Sequence, residues 1–451
     1  MGGNPSINLI LTDVCTNGCR YCFASGRPSA GESNQDSFMN RENFLLTLEF
    51  LKKSCSKEIR FLGGEPLIHP HIQEFLERVR NEDFFEHITI FTGGIFPRGV
   101  IKLLAEDRTS IVANCNHPKD YEKPQFAQLL SNLGEMASEG VRLTIGYNIY
   151  EEHFEFSPIL ELCRDLGVDK LRLCIANPNP FIQTEVLDWK KRKEIGHRIY
   201  ELLMACVDRH YEVVLDCVVT PCVFTDSEWG EITKFLPGLA NGYGVCGPAL
   251  DVDKNLYVSR CFAYGNAPSV KMLDFESTRD IYKYFSEEYD QYKWYVHDKE
   301  CQGCRYLTIG VCQGDCLGFH YKEMETLREK HQLSKTVLGE AYSHLHAGHL
   351  EAAVARFEEA LRVYSHDGDA VGDYAFTLMK LSETDKALTA LDNYLLDGHP
   401  IESGTILMTY GLLAELQQDK TKAIRFYRRA LRRVNKEKME AVRTRIRNLE
   451  V

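Results

Sequence analysis

The chain has 451 residues, of which 44% are hydrophobic and 11% aromatic, so it is long enough for two or three domains with full-sized cores. Its formal net charge of −12 argues against general nucleic-acid binding, because phosphate backbones need a basic surface. No apolar run is long enough to span a bilayer, and the N-terminus lacks the basic and apolar regions of an export signal. These features predict a cytoplasmic protein that binds neither nucleic acid nor membrane.

The first half of the chain alternates between strand and helix patterns. The predicted strands are 7–11, 58–62, 87–91, 110–114, 142–149, 170–175 and 211–217. The predicted helices are 41–53, 72–79, 126–137, 157–166 and 189–210. This alternation predicts an α/β fold with a parallel sheet, arranged as a partial (β/α)6 TIM-like barrel. In such barrels the chemistry lies at the carboxyl ends of the strands.

A cysteine loop follows the first predicted strand. It carries Cys15, Cys19 and Cys22 in a C-x3-C-x2-C spacing, with aromatic Tyr21 before the last cysteine. A loop this short brings three thiolates to one metal centre but supplies no fourth, whereas iron–sulfur clusters are usually held by four. A three-cysteine zinc site with a distant histidine, or three unrelated thiols, would also fit the spacing alone.

Glycine-rich turns follow the second and third predicted strands. The second strand ends in Gly63-Gly64-Glu65-Pro66 and the third in Thr92-Gly93-Gly94. Two glycines let a backbone approach a ligand closely, because no Cβ stands in the way. Glu65 offers an acceptor for an ammonium group. All these motifs stand at strand ends, where a parallel barrel places its site.

Together, the cysteine loop and the Gly-Gly-Glu-Pro turn resemble the radical S-adenosylmethionine (radical SAM) superfamily. The resemblance implies a four-iron cluster on the three loop cysteines, with an open iron that binds S-adenosylmethionine, and an electron donor such as a flavodoxin or ferredoxin. It also implies that the Gly-Gly-Glu-Pro motif holds the methionine amine of S-adenosylmethionine. The residues expected near this cofactor are Tyr21, Phe23, Gly63, Gly64, Glu65, Thr92, Asn148 and Arg172. For Asn148 a satisfied strand-end amide, and for Arg172 a surface position, are equally open.

A second cysteine field lies in the middle of the chain. Cys246 and Cys261 bracket a predicted β-hairpin, with strands at 250–252 and 256–258. A helical stretch at 277–295 follows, and then Cys301-x2-Cys304-x7-Cys312-x3-Cys316. Closely spaced pairs of this kind predict a metal site. A zinc ribbon is the alternative, because four-thiolate zinc sites use similar pairs.

Residues 240–320 resemble the SPASM and twitch extensions of radical SAM enzymes, which carry auxiliary iron–sulfur clusters. The resemblance implies one cluster on Cys246, Cys261 and Cys316 and another on Cys301, Cys304 and Cys312. Six cysteines cannot complete two four-thiolate clusters, and no cysteine follows Cys316. Cys222 is the expected ligand that completes the first cluster, and His320 is a candidate for the second. An open iron that binds substrate, a hydrogen-donor role for Cys222 or Cys217, and plain buried thiols are the alternatives.

The last third of the chain contains helical repeats. Ala353, Ala387 and Ala423 recur 34 and 36 residues apart, and a small residue stands twelve positions before each. This pattern resembles the tetratricopeptide repeat and implies about three repeats, closed by a helix at 436–449. Such stacks present a concave surface to peptides or proteins.

The predicted domains are a radical SAM partial barrel at 1–235, a SPASM/twitch-like iron–sulfur domain at 236–330 and tetratricopeptide repeats at 331–451. SPASM-type extensions usually accompany peptide substrates in the radical SAM family. The expected function is therefore maturation of a ribosomally made peptide, by a crosslink, a thioether bond or epimerisation, with the repeats docking the peptide. A small-molecule dehydrogenase, and a repeat scaffold with structural clusters, are the alternative functions.

Overall fold

The computed structural model describes residues 5–22, 35–217, 219–240, 246–264, 267, 269–396, 403–434 and 436–450 of the chain. These residues divide between two compact units. The first comprises residues 1–293 and 297–321, and the second comprises residues 294–296 and 322–451. The sheet belongs to the first unit and the helical repeats belong to the second.

The first unit is organised around one sheet in which seven parallel strands follow one another in chain order. These strands are β1 (Asn8–Ile10), β2 (Glu58–Leu62), β3 (His87–Thr92), β4 (Thr109–Asn114), β5 (Arg142–Ile149), β6 (Lys170–Ile175) and β7 (Glu212–Asp216). The predicted α/β class and parallel sheet are confirmed. Closure of the sheet as a six-unit barrel stays a prediction.

The predicted hairpin extends the same sheet. Its strands are β8 (Asp251–Val252) and β9 (Tyr257–Ser259), and β10 (Val270–Lys271) pairs with β9 at the edge. Strand β8 lies parallel to β1, with Asn8 opposite Asp251 and their side chains joined by a 2.7 Å hydrogen bond. Strand β1 therefore lies between β2 and β8. The predicted domain boundary at residue 235 stays a prediction.

The helices of the first unit lie between its strands, apart from the last two, which follow β10. They are α1 (Arg41–Lys53), α2 (Ile72–Arg80), α3 (Lys123–Ser138), α4 (Ser157–Leu166), α5 (Trp189–Glu194), α6 (Gly196–Asp208), α7 (Asp226–Phe235), α8 (Pro237–Ala240), α9 (Thr278–Glu288) and α10 (Arg305–Thr308). Helix α1 shows how the sequence forms such a helix. The Asn40 side chain accepts from Asn43 N at 2.8 Å and caps the first turn. Phe44, Leu48 and Leu51 form its buried face.

Two predicted helices differ from the structure. The helix expected over 189–210 is interrupted at Ile195, where Gly196 packs against the turn that carries Val223. A Cβ at Gly196 would lie 1.8 Å from the carbonyl oxygen of Val223, so this close tertiary approach ends one helix and starts the next. The helix expected over 277–295 is shorter, since α9 ends at Glu288 and a tighter turn spans Asp290–Trp294.

The second unit is an array of antiparallel helical pairs. Its helices are α11 (Tyr321–His346), which begins at the end of the first unit, α12 (Leu350–Val363), α13 (Gly368–Lys380), α14 (Thr384–Leu396), α15 (Gly404–Leu416), α16 (Lys420–Ala430) and α17 (Lys436–Glu450). The small residues predicted at the helix contacts are buried there. Ala353, Ala387 and Ala423 are all 0% exposed, and a Cβ at Gly411 would lie 2.3 Å from the ring of Tyr427.

No helix in the ranges described above combines the length and the apolar character needed to cross a membrane.

Candidate functional site

The loop after β1 carries the first three cysteines close together. The amide of Cys22 donates to the carbonyl of Cys19 at 3.1 Å, and the amide of Asn17 donates to Cys15 Sγ at 3.4 Å. Burial is the main cause that raises the pKa of Cys15 to about 11 and that of Cys19 to about 12, and negative charge on Cys22 contributes to both values. The three thiols therefore repel one another once ionised. A positively charged metal centre among them would offset both the burial of the thiolates and their mutual repulsion.

The glycines of the Gly-Gly-Glu-Pro turn pack against the stem of the cysteine loop. The amide of Gly64 donates to Thr12 O and the amide of Glu65 donates to Val14 O, each at 2.8 Å. A Cβ at Gly64 would lie 2.0 Å from Val14 O, and Gly63 has a φ of +149° that glycine tolerates best. The close approach that these glycines permit is therefore to the backbone of the loop stem. Their contact with S-adenosylmethionine stays a prediction.

Glu65 joins the ends of β2 and β3. Its carboxylate accepts hydrogen bonds from the Thr92 hydroxyl at 2.7 Å, the amide of Gly93 at 2.8 Å and the amide of Leu67 at 3.1 Å. Complete burial raises its pKa to about 7, although these three donors oppose the shift. The Asn17 side chain donates to the carbonyl of Gly93 at 3.3 Å, which ties the same strand end to the cysteine loop.

Tyr21 anchors the loop to the ends of β4 and β5. Its hydroxyl donates to Asn116 Oδ1 at 3.2 Å and accepts from Asn148 Nδ2 at 3.3 Å. Its ring stacks on Tyr150 with 5.0 Å between centroids. The structure thus brings two of the predicted cofactor residues, Tyr21 and Asn148, into direct contact. Phe23, a third, lies outside the described residues.

Arg172 extends the hydrogen bonds of Tyr21 and Asn148 across the sheet to the next strands. Its Nη1 donates to Asn114 Oδ1 at 3.2 Å and to Asn148 Oδ1 at 3.3 Å, while its Nε donates to Asp216 Oδ2 at 2.8 Å. The opposite charge of Arg172 lowers the pKa of Asp216. Arg172 is thus an interior residue whose partner is Asp216. Asn114, Asn116 and Asp216 were not among the predicted site residues, although each stands at or just after the end of a predicted strand.

The second cysteine field separates into two thiol groups. The hairpin thiols are Cys246, Cys261 and Cys316, and the loop thiols are Cys301, Cys304 and Cys312. Burial raises the pKa of Cys316 well above its usual value, and the charges of Cys246 and Cys261 raise it further. Burial likewise raises the pKa of Cys301 to about 12, with further increases from Cys222 and Cys312. Across the described residues, no three histidine, cysteine, aspartate or glutamate side chains are placed to share a single metal ion.

Cys222 stands in the short turn Pro221–Val223 after β7. Its charge raises the pKa of both Cys301 and Cys312, so it lies close to the loop thiols. Its expected role as the ligand that completes a cluster on the hairpin thiols stays a prediction. His320, the other suggested ligand, has its Nε2 4.0 Å from an Asp298 carboxylate oxygen.

Cys217 has a different neighbour. It follows β7 with a positive φ of 59°, and its amide donates to Asp216 Oδ1 at 2.9 Å. Its thiol lies close to that of buried Cys174 on β6. The backbone here is strained for a residue other than glycine. The suggested role of Cys217 as a hydrogen donor stays a prediction.

Two polar side chains surround the hairpin thiols. Arg260 is 1% exposed and donates to Cys246 Sγ at 3.4 Å and to Cys261 Sγ at 3.9 Å, while Asp290 balances its charge. The Tyr264 hydroxyl is buried without a hydrogen-bond partner among the described residues, and its pKa is raised first by burial and then by the charges of nearby thiols. A cluster with acceptor sulfides fits these donors. Sequence reasoning missed both residues, although Arg260 directly precedes Cys261.

A buried ion pair fastens the last cysteines to the sheet. Arg192 Nη1 lies 2.8 Å from Asp315 Oδ1, and the same oxygen accepts from the amide of Cys316 at 2.7 Å. Arg192 also donates to the carbonyl of Ala176, just after β6. The segment with Cys312 and Cys316 is therefore held at the carboxyl end of the parallel strands.

Two separate parts of the chain match known protein families. Residues 9–146 match the radical SAM superfamily, and residues 344–400 match the tetratricopeptide repeat. A probable GTP 3',8-cyclase of Methanocaldococcus jannaschii is 24% identical over 176 residues, which cover 36% of this chain and 56% of that protein. The GTP 3',8-cyclase of Aquifex aeolicus is 25% identical over 175 residues, covering 36% and 53%. The chain thus spans about half the length of these curated relatives.

Among solved structures, Streptococcus suis SuiB bound to its precursor peptide SuiA superposes with a TM-score of 0.52 at 15% identity, covering 71% of this chain and 74% of SuiB. At that identity the likeness concerns the fold. The matched residues include the cysteine loop, the glycine-rich turns that support it and the first strands of the parallel sheet. Residues 9–146 are therefore a radical SAM domain, in a chain that also carries a tetratricopeptide repeat.

Proposed function

We propose that this protein is a radical SAM enzyme that modifies a ribosomally made peptide, forming a crosslink or a thioether bond or epimerising a residue. Cys15, Cys19 and Cys22 would hold the cluster through their thiolates. When bound and reduced, such a cluster would supply the electron for cleavage of S-adenosylmethionine to methionine and a 5′-deoxyadenosyl radical. The family match over residues 9–146 supports this step.

The chain's own residues hold the loop in place for that chemistry. Gly63 and Gly64 let the turn after β2 pair with the loop stem, and Glu65 holds the ends of β2 and β3 together through Thr92 and Gly93. We assign Glu65 a positioning role, because all its hydrogen bonds run to the protein and it is completely buried. Support from the ends of β2 and β3 limits movement of the loop thiols.

Hydrogen bonds link Tyr21, Asn148, Arg172 and Asp216 in a row. We propose that this row of side chains lines the site for S-adenosylmethionine. Asn148 and Arg172 lie on neighbouring strands and share a hydrogen bond of 3.3 Å, so a ligand that contacts one is within reach of the other. Amide and guanidinium donors suit the ribose hydroxyls and the carboxylate of S-adenosylmethionine. Asp216 keeps Arg172 charged and oriented, because it accepts from its Nε.

The peptide substrate is supported by the helical repeats, which are the single observation that carries this choice. Repeat stacks of this kind rarely catalyse and instead present extended surfaces to peptides or proteins. The hairpin and loop thiols, proposed here to hold auxiliary iron–sulfur clusters, add the second feature that accompanies peptide substrates in this superfamily. SuiB, which shares the fold, was solved with a precursor peptide.

The test is anaerobic reconstitution with iron and sulfide, followed by S-adenosylmethionine, a reductant and candidate peptides encoded near the gene. We expect 5′-deoxyadenosine and a peptide mass change of a few hydrogen atoms or none, with an epimer detected by chiral amino-acid analysis. Deletion of residues 334–451 should lower turnover of the full-length peptide while retaining cleavage of S-adenosylmethionine. Absence of 5′-deoxyadenosine would contradict the enzyme, and unchanged peptide turnover after the deletion would contradict docking by the repeats.

A small-molecule substrate is the second candidate function. The observation that favours it is the sequence similarity to GTP 3',8-cyclases, which spans about a third of this chain. The same reconstituted protein should therefore be offered GTP in a parallel reaction. Consumption of GTP that depends on S-adenosylmethionine, with no change in any peptide, would favour this candidate over the peptide maturase.

A further inference from the structure

Three cysteines after the hairpin, the loop thiols, are folded into one compact turn. The amide of Cys304 donates to Cys301 O at 3.0 Å, which closes the first turn, and Gly303 within it has a φ of +72°. The carbonyl of Tyr306 then accepts from the amide of Cys312 at 3.1 Å, which folds the chain back toward Cys304. This local hydrogen bonding brings three thiols together but provides no fourth.

Cys222 is held beside this turn by the segment around it. Asp226 pairs with Arg305, the residue directly after Cys304. The rings of Trp229 and Tyr306 meet edge to face with 6.4 Å between centroids. These two contacts join the start of helix α7 to the middle of the loop-thiol turn. Cys222 lies close enough to Cys301 and Cys312 to interact with both, in agreement with that placement.

The backbone at Cys222 is fixed rather than adaptable. Its turn is closed by a 3.1 Å hydrogen bond from the amide of Val223 to Thr220 O, and the start of helix α6 packs against it so closely that only glycine fits at position 196. Helix α7 begins with a capping box in which Thr225 and Glu228 satisfy each other's amides. The thiol itself is partly exposed and donates only a 3.4 Å hydrogen bond to the Thr220 hydroxyl.

We propose that Cys222 is the fourth thiolate of an iron–sulfur site formed with Cys301, Cys304 and Cys312. A four-thiolate set satisfies the usual ligation of a cubane cluster. The hairpin thiols then form a separate three-thiolate set, lined by Arg260 and Tyr264. The inference is independent of the substrate, because it concerns only which thiols share a cluster.

The first experiment needs no variant. Free thiols in the full-length protein are alkylated anaerobically with iodoacetamide, before and after reconstitution with iron and sulfide, and each site is quantified by mass spectrometry. We expect Cys222 to become protected to the same extent as Cys301 and Cys312. Exposed Cys55 should react equally in both samples and serves as the control. Alkylation of Cys222 at its metal-free rate in the reconstituted protein would overturn the proposal.

The second experiment asks which cluster Cys222 belongs to. Iron is counted after mild oxidation and chelation in Cys222→Ala, Cys301→Ala, Cys246→Ala and the two double variants, with Cys55→Ala as the matched control. We expect Cys222→Ala to lose between about one and about four irons, the range from one labile iron to a whole cubane. The double variant Cys222→Ala with Cys301→Ala should lose no more iron than Cys301→Ala alone. The double variant Cys222→Ala with Cys246→Ala should lose more iron than Cys246→Ala alone. No loss in Cys222→Ala, or a loss that overlaps with that of Cys246→Ala, would overturn the proposal.

Discussion

Arg192 and Asp315 form an ion pair in which each side chain is only 2% exposed, with 2.8 Å between Nη1 and Oδ1. It connects the end of β6 to the segment that carries Cys312 and Cys316. Removing one partner leaves the other charge buried and unpaired. We therefore expect Arg192→Met to destabilise the first unit by roughly 3–5 kcal/mol, measured as the free energy of unfolding in urea.

The control for that prediction is the exposed pair Arg164–Asp165, whose side chains are 69% and 64% exposed. Arg164→Met should leave the unfolding midpoint unchanged, because exposed pairs are screened by water. Asp315→Asn tests the pair from its other side and should also release the segment with Cys316. Equal stability of Arg192→Met and Arg164→Met would show that the buried pair is dispensable.

The glycine at position 64 should control assembly of the first cluster. A Cβ there would lie 2.0 Å from Val14 O and 2.9 Å from the amide of Cys15, both backbone atoms. We expect Gly64→Ala to cost about 1–3 kcal/mol through overpacking and to lower iron binding by the cysteine loop. Gly18→Ala is the matched control within the same loop, since a Cβ at Gly18 meets nothing within 4 Å. Iron content and urea unfolding should separate the two variants, and equal iron binding would contradict the prediction.

Buried His69 should make the stability of the first unit depend on pH. A carbonyl only accepts, so Nε2 donates to Met39 O at 3.0 Å, and Nδ1 accepts from the amide of His71 at 3.0 Å. Both nitrogens are therefore satisfied in the neutral ring, and burial lowers the pKa of His69 from 6.5 to about 4. A lowered folded-state pKa means that stability is fully present above pH 6.5 and falls as the pH drops toward 4.

The expected loss on going from pH 7 to pH 5 is about 2 kcal/mol from this residue. It should appear in urea titrations of the wild-type protein and be largely absent in His69→Gln. His87, an exposed histidine at the start of β3, provides the comparison variant His87→Gln, which should keep the wild-type profile. A pH dependence that survives in His69→Gln would point to another group.

Two glycines in the helical repeats should respond oppositely to alanine. Gly411 faces the ring of Tyr427, with 2.3 Å to the nearest ring carbon, so Gly411→Ala should destabilise the second unit by about 1–3 kcal/mol. Gly339 lies within helix α11, and a Cβ there meets nothing within 4 Å. Gly339→Ala should therefore stabilise it by roughly 1 kcal/mol through helix propensity. Thermal unfolding followed by circular dichroism would show shifts of opposite sign, and shifts of the same sign would contradict the helix contact.

The parts of this molecule that follow local rules were predictable from the sequence. The parallel strands appear as apolar runs, the three cysteines of the first loop are eight residues end to end, and Ala353, Ala387 and Ala423 mark the repeats. Each of these signals lies within one element or recurs at a fixed interval. Periodicity and spacing report such features directly.

Contacts between distant segments left no such signal. The interruption at Ile195 depends on the carbonyl of Val223, and the neighbour of Cys222 depends on a salt bridge formed by Arg305. The partner of Arg172 is likewise an aspartate 44 positions away, on the adjacent strand. The spacing of the cysteines predicts metal sites, whereas a proposal about which thiols share a site needs the contacts between turns that are distant in sequence.

The pairing of β1 with β8 has a consequence for biosynthesis. Asn8 and Asp251 are 243 positions apart, and β1 reaches its full set of strand neighbours only when both are present. Contacts of such long range form late, because a long loop must be closed before they can stabilise anything. During translation, the strand that leads into the first cysteine loop therefore stays open at one edge until the ribosome has passed residue 252. By then Cys222 and Cys246 have also been made, so the first cysteine loop reaches its final support only after thiols from the middle of the chain are present.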